Sequence, residues 1–503
     1  MHQSRPTTPT KNAVQDLRDR LTRITHLGQA AAILEWDMET YMPEGGADAR
    51  ASQVATLRSM AHELLTADET AALLENASPE SDVDRDLVRV VKRDLEKATR
   101  VPSKLIAAMA EAAGKAKGAW QKARATNDFP LFAPHLERIV DLCKEHAEAL
   151  GYEDQPYDAL LDQYEEGATT KEVQAVFENV RTELVPLVKA IQAAKPLCEG
   201  PVHREFALDR QWSFGLDMVQ RMGYDLNHGR QDVSTHPFST SFSISDVRIT
   251  TRSEPRFFNP AFFGTLHEAG HAMYEQGIDK KLEGLPLADG TSLGIHESQS
   301  RMWENLVGRS RAFWQYAFPL AQQTFPESLS DVTQEEFYQA INAVMPSTIR
   351  VEADEVTYNL HIMLRFELEQ EMIAGRIQVK DLPEAWNERM VSWLGVRPES
   401  DTEGVLQDIH WSLGAIGYFP TYALGNLMSV QLFEAARGDL GDLEGPISRG
   451  DFAPLLGWLR TNVHQWGRRR SADEILRSAT GSPLSAEPWL AYARAKFGDL
   501  YGF

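Results

Sequence analysis

With 503 residues the chain can bury a large core, and a formal net charge of −22 denies it the basic field that displaces counterions from nucleic acid. Two cysteines, Cys143 and Cys198, exclude a disulfide framework or a zinc–thiolate cluster and fit a reducing compartment. Met1 to Asp16 is polar and has no apolar signal core, and nowhere do roughly eighteen apolar residues run together, so we expect no membrane span and a cytoplasmic location.

From Ala13 to Trp36, apolar residues such as Leu17, Leu21, Ile24 and Leu34 recur at three- and four-residue steps, which predicts a long amphipathic helix. It ends near Met42-Pro43-Glu44-Gly45-Gly46, and Ala51 to Leu65 repeats the period. Asp84 to Thr99 forms a third run. Val101-Pro102-Ser103 then breaks it and caps an alanine- and lysine-rich helix through Arg124, with further helical patterns at Leu131 to Leu150 and Lys171 to Ala194. The first two hundred residues thus read as helix and turn, with their charged faces solvated.

The character changes between Gly223 and Arg256. Ser241-Phe242-Ser243-Ile244 alternates with period two, and Val247-Arg248-Ile249-Thr250 alternates again with its phase shifted across Ser245-Asp246, as a turn or bulge between two strands would do. Such a sheet would stand just ahead of the next helix, either as a wall for an extended peptide or as a purely structural hairpin.

That helix is predicted from Asn259-Pro260, an N-cap side chain followed by a proline at the first helical position, to a stop at Gly277. It carries His267-Glu268-Ala269-Gly270-His271. Residues four apart share one helix face, so the two imidazoles can hold one divalent ion through their ring nitrogens, while Glu268 reaches a water on that ion and serves as general base. Two structurally buried histidines are the plain alternative. Catalytic zinc sites usually take a third protein ligand and leave one position open.

Past the glycine- and leucine-containing loop Gly284 to Gly294, Thr291 or Ser292 can cap a helix carrying His296-Glu297-Ser298-Gln299-Ser300-Arg301. A helix, a loop and a return helix suit Glu297 as the third ligand, with His296 and Glu304 as competitors; as a structural residue Glu297 would simply pair with Arg301 one turn on. Ser347 to Gly375 reads as another helix. Its polar stripe, Arg350, Asp354, His361, Arg365 and Glu369, has the look of a solvent face stitched by i, i+4 pairs, with Arg350 as the member suited to a functional role. His410, Tyr418 and Tyr422 are hydrogen-bond donors among the glycine turns of Gly404 to Tyr422, or else ordinary core aromatics. From Leu424 to Phe503 the pattern returns to amphipathic helices.

Taken together, these stretches closely resemble the carboxypeptidase Taq family of zinc-dependent metallocarboxypeptidases. The likeness is carried by Trp36-Asp37-Met38-Glu39-Thr40, Tyr157-Asp158-Ala159-Leu160-Leu161-Asp162, His236-Pro237-Phe238, Asp246-Val247-Arg248-Ile249-Thr250 and the His267 to His271 pair. It continues through the His296 to Arg301 run, Ile349-Arg350 with Ala353-Asp354-Glu355, and Gly404-x-x-Gln407-Asp408-x-His410-Trp411. The resemblance implies a mainly α, zincin-type body with a deep central groove, a small β-sheet beside the active site, and a homodimer. It also implies His267, His271 and Glu297 as ligands of one Zn2+ per chain, with Co2+ also compatible, and Glu268 as the catalytic glutamate. We expect one catalytic domain over residues 1–503, with a helical lobe to about residue 200 and the metal and substrate site at about 230–425.

The chemistry expected is hydrolysis of the C-terminal peptide bond of peptides to release single amino acids, Glu268 activating a zinc-bound water. Tyr422 and His410, with Tyr418 beside them, are candidates to stabilise the developing oxyanion. An exopeptidase must also hold a free carboxylate one residue past the cut. Arg350, ranked ahead of Arg248, can do this with a charge-assisted two-pronged contact, with His236 and Tyr422 as neighbours. The competing readings are a zinc oligopeptidase or dipeptidyl carboxypeptidase with a longer groove, and a non-catalytic metal-binding helical scaffold.

Overall fold

The computed structural model describes residues 13–503. Met1 to Asp16, read above for the lack of a signal core, lies mostly outside the described residues. The periodicity of the first two hundred residues is realised as long helices at Ala13–Thr40, Ala47–Thr66, Asp82–Arg100, Ser103–Thr126, Phe129–Leu150 and Thr170–Ala193. Helix ends follow local chemistry. Ser81 accepts the Asp84 N–H at 3.1 Å, and Thr169 accepts the Glu172 N–H, each satisfying an orphan donor of a first turn.

One large apolar core draws on residues from Val101 to Leu500 and includes Phe262, Leu266, Ala269, Ile295 and Leu424 of the site helices. A smaller core joins Leu17, Leu21, Leu87 and Val91 of the first helices to Ile244, Ile278 and Leu287. The N-terminal helices therefore lean on the site region through their own apolar seam. No helix among the described residues is long and apolar enough to cross a membrane.

The alternating segment is a three-stranded sheet among the described residues, β1 (Gln231–Val233), β2 (Ser239–Ser243) and β3 (Asp246–Thr251), in the order β1-β3-β2. The phase shift read across Ser245-Asp246 falls where a turn at Ile244-Ser245 joins β2 to β3; the two pair antiparallel, with a separate register irregularity between Ser241 and Ser243. Too short to show a period, β1 pairs parallel with β3 through Gln231 opposite Ile249. Val247 and Ile249 are fully buried in the large core, which pins the sheet in place and leaves β2 at its edge.

Two helix expectations need correction. The Asn259–Gln276 helix starts where Asn259-Pro260 indicates, but Asn259 does not cap it; Phe258 occupies that position and the buried Asn259 amide oxygen has no partner among the described residues. Its end at Gly277 is set by close approach, since a Cβ there would lie 2.5 Å from the His464 ring.

The second correction concerns Ser347 to Gly375. The helix runs only from Tyr358 to Ile373, because Asp354 accepts the N–H groups of Val356 and Thr357 at 2.9 Å and starts it there. Arg350 sits in a separate short 3-10 turn. Nor is the stripe a solvent face, for His361, Arg365 and Glu369 are fully buried. Two of the three are satisfied from elsewhere, Asp408 receiving Arg365 and Glu369 accepting from Tyr157, Trp411 and the Gly417 N–H, while neither ring nitrogen of His361 has a hydrogen-bond partner among the described residues.

Candidate active site

The Asn259–Gln276 helix is apolar almost all round, and Phe262, Leu266, Ala269, Ala272 and Met273 bury it in the large core. Gly270 lets the returning helix, Leu293–Arg301, lie directly against it, since a Cβ at this position would come within 2.6 Å of the Ser300 Cα. On the other side Gly425 of the Pro420–Leu440 helix makes the same allowance for the Glu297 side chain. The returning helix is capped by Ser292, which accepts the Ile295 N–H at 3.1 Å, and the buried Glu165 accepts the Gly294 N–H. These contacts fix Glu297 over the two histidines.

Three atoms converge there. The Nε2 atoms of His267 and His271 lie 3.7 and 3.6 Å from the same Glu297 oxygen, Oε2. A tetrahedral ion with bonds of ~2.0–2.1 Å keeps its ligand atoms about 3.4 Å apart, so the spacing fits such an ion with slight contraction. The donor chemistry agrees. The Nδ1 of His267 lies 2.9 Å from Glu304, so a proton held there frees Nε2 to face the Glu297 carboxylate, an arrangement that a cation relieves. Glu297 divides its oxygens: Oε1 takes the Arg301 Nε–H at 2.6 Å and Oε2 faces the imidazoles. The residue is thus the partner of Arg301 that one sequence reading made it, and its other oxygen is turned to the two imidazoles.

The Leu293–Arg301 helix runs on into a π-helical turn, Met302–Val307, whose wider step brings Glu304 back to the same place as Arg301. Burial alone would raise the Glu304 carboxyl, but Arg301 and His267 hold it down at about 2, so it stays an anion behind His267. Burial dominates at Glu268 and pushes its carboxyl up to about 7, within range of a base working near neutrality. Burial likewise holds His271 well below the usual imidazole range. Its Nδ1 lies 2.9 Å from Nδ1 of His296, whose Nε2 lies 2.6 Å from Glu275.

Two cavities meet at His267 and Glu268. One, of about 370 Å³, is lined by Phe238 and Ser239 at the start of β2, by His271 and Glu297, and by Tyr418 and Tyr422. The other, of about 690 Å³, runs past Arg301 and Arg309 towards Arg252 and Ser347. Glu268, the His267, His271 and Glu297 side chains, the start of β2 and the phenols of Tyr418 and Tyr422 thus all line the smaller cavity.

The carboxypeptidase Taq (M32) metallopeptidase family model matches residues 16–497. The chain belongs to the carboxypeptidase Taq family. Thermostable carboxypeptidase 1 of Pyrococcus furiosus is 42% identical over 491 residues, covering 96% of this chain and 98% of that protein. The protein of the same name from Thermus thermophilus is 42% identical, covering 97% and 99%. The crystal structure of the M32 carboxypeptidase from Deinococcus radiodurans R1 superposes with a TM-score of 0.96 at 43% identity, covering 98% of this chain and 100% of that one. The chain is accordingly a metal-dependent carboxypeptidase, a peptide hydrolase of mainly helical fold.

In this metallocarboxypeptidase the remaining candidates fall into three positions. Tyr418 and Tyr422 line the smaller cavity with ring centres 5.4 Å apart, and burial raises both hydroxyls so that they keep their protons. His410 and Arg350 stand behind them. His410 is 5.3 Å from the Tyr418 ring and burial pushes it down to about 4, while Arg350 lies 5.3 Å from the Tyr422 ring centre and is engaged with Asp408 and the Tyr358 hydroxyl.

Arg248 and His236 are set apart from the convergence. Arg248 is paired with Asp246 at 2.8 Å and sandwiched by Trp36 and Phe242, and His236 is exposed while its neighbours Pro237 and Phe238 line the cavity. Sequence reading missed the supporting groups Glu275 and Arg309, and treated Glu304 as a rival ligand. For Glu275 a signal existed: it follows His271 by four residues, as His271 follows His267.

Proposed function

We propose that this chain is a zinc carboxypeptidase that removes single residues from the C-termini of peptides, with His267, His271 and Glu297 as the ligands of one Zn2+. Co2+ suits the same N/O donor set. The observation that carries the reading is the meeting of two imidazole nitrogens with one carboxylate oxygen at 3.6–3.7 Å, beside Glu268. When bound, the ion supplies Lewis acidity, lowering the pKa of water towards ~7 and polarising the scissile carbonyl.

The chain's own groups do the rest. Phe238 and Ser239, at the edge of the sheet, offer backbone for an extended peptide. Glu268 takes a proton from the attacking water and returns it to the leaving amine. The protonated Tyr422 hydroxyl, with Tyr418 and His410 behind or beside it, donates to the carbonyl oxygen as that oxygen gains charge.

Arg350 receives the substrate carboxylate. What supports this is the surplus of positive charge: two buried guanidiniums, Arg350 and Arg365, share the single carboxylate of Asp408. An arriving anion balances the cluster, and an internal peptide bond brings none. Arg248 and His236 are the alternative carboxylate partners, closer to the N-terminal helices. A homodimer working in the cytoplasm is the assembly we assign, to be checked by light scattering and fractionation.

Mass spectrometry of the products from one short unblocked peptide, with metal analysis of the purified chain, tests the reading. Single-residue ladders from the C-terminus with about one zinc per chain are expected. The 690 Å³ cavity beyond Arg301 gives a dipeptidyl carboxypeptidase its footing, and dipeptide or internal fragments would establish that reading instead.

A further inference from the structure

We propose that Glu275, acting through His296, positions His271 and sets which of its nitrogens faces the metal. The inference rests on the ligand assignment above. His267, His271 and Glu275 follow one another at steps of four along the Asn259–Gln276 helix, so the metal-facing stripe continues one turn further into a buried carboxylate. The returning helix supplies the link, since His296 lies between His271 and Glu275.

The two-ring contact, Nδ1 to Nδ1 at 2.9 Å, is a hydrogen bond only when exactly one of those nitrogens carries a proton. A His271 that offers Nε2 to an ion carries its proton on Nδ1. The Nδ1 of His296 is then the acceptor, its own proton lies on Nε2, and that N–H is donated to Glu275 at 2.6 Å. With Glu275 ionised and His296 neutral, one arrangement of protons satisfies all three groups, and in it His271 points a lone pair at the cradle. The Tyr274 ring, edge-on to His296 at 5.0 Å, holds the intermediate ring in place.

The two histidines are supported differently. His267 leans on Glu304, whose charge is also drawn on by Arg301 at 3.1 Å and Arg309 at 3.6 Å. Among the described residues Glu275 has His296 as its hydrogen-bond partner and its second oxygen has none, so its charge reaches His271 through that one ring. Partners of this kind are worth about ten- to a hundred-fold in metal affinity.

The test is competition for zinc between the full-length chain and a chromophoric chelator, together with the visible spectrum of the Co2+-loaded chain. The variants are Glu275→Gln, which keeps shape but loses charge, His296→Asn, which keeps an acceptor near Nδ1 but loses the link to Glu275, and His296→Ala. We expect zinc affinity to fall at least about ten-fold in His296→Ala and less in His296→Asn. Glu275→Gln should behave like His296→Asn, all three with a shifted Co2+ spectrum and a metal-free unfolding midpoint close to the parent's. Affinities within about two-fold of the parent with an unchanged spectrum overturn the proposal, as does a loss confined to stability of the metal-free fold. His271→Ala serves as control: normal zinc binding there would overturn the ligand assignment itself.

Discussion

Arg350 makes both of its hydrogen bonds to Asp408 through one carboxylate oxygen, from Nε at 3.0 Å and Nη2 at 2.7 Å, and so leaves the other oxygen to Arg365. Asp408 thereby counters two buried cations at once beside the site. Asp408→Ala should destabilise the fold by about 3–5 kcal/mol, measured by chemical denaturation, because it strands both guanidiniums away from water. A near-parental midpoint would show that water or rearrangement compensates them.

Arg350→Ala removes one cation and leaves Asp408 paired with Arg365. Turnover of a short N-blocked dipeptide should drop by about a hundred-fold or more in kcat/KM, with zinc content unchanged. Kinetics equal to the parent's would transfer the carboxylate contact to Arg248 or His236.

Glu268→Gln keeps the shape of the side chain and removes its basicity. We expect metal content to persist and kcat to fall by roughly 10²–10⁴-fold. A variant that retains most of its rate would exclude this residue as the base.

Stripping the metal should abolish hydrolysis and lower the unfolding midpoint, since an ion that binds only the folded chain adds about 2.7 kcal/mol at a hundred times its Kd. Differential scanning measurements with and without re-added Zn2+ or Co2+ check this. Recovery of activity without recovery of the midpoint would separate the catalytic ion from folding.

Burial holds His361 and His464 neutral, each at about 3 against an ordinary value near 6.5. The unfolded chain takes up these protons first as pH falls. Stability is therefore full above about pH 6.5 and declines from there down to about pH 3, each residue contributing a slope of about 1.4 kcal/mol per pH unit. Denaturation at pH 7 and pH 5 should show the loss, and His464→Gln should flatten it. An unaltered slope in that variant would mean that other groups govern acid unfolding.

Local pattern carried the long helices, the edge hairpin with its phase shift, and the metal helix. All of these arise from residues within one or two turns of each other, where spacing and capping chemistry act directly. The stripe from Arg350 to Glu369 shows where that logic stops: i, i+4 spacing is identical for a solvated face and for a buried network. Only the arrival of Asp408, Tyr157 and Trp411 from distant segments made burial affordable. In the same way His267 and His271 were determined by the sequence itself as one face of one helix, with Glu268 one residue round from them. The placing of Glu297 over them at 3.6–3.7 Å, with Glu304 and Glu275 behind the rings, was decided by the packing of two helices that Gly270 allows to touch. Separation along the chain hides such contacts, because their free energy comes from burying surfaces that no local window contains.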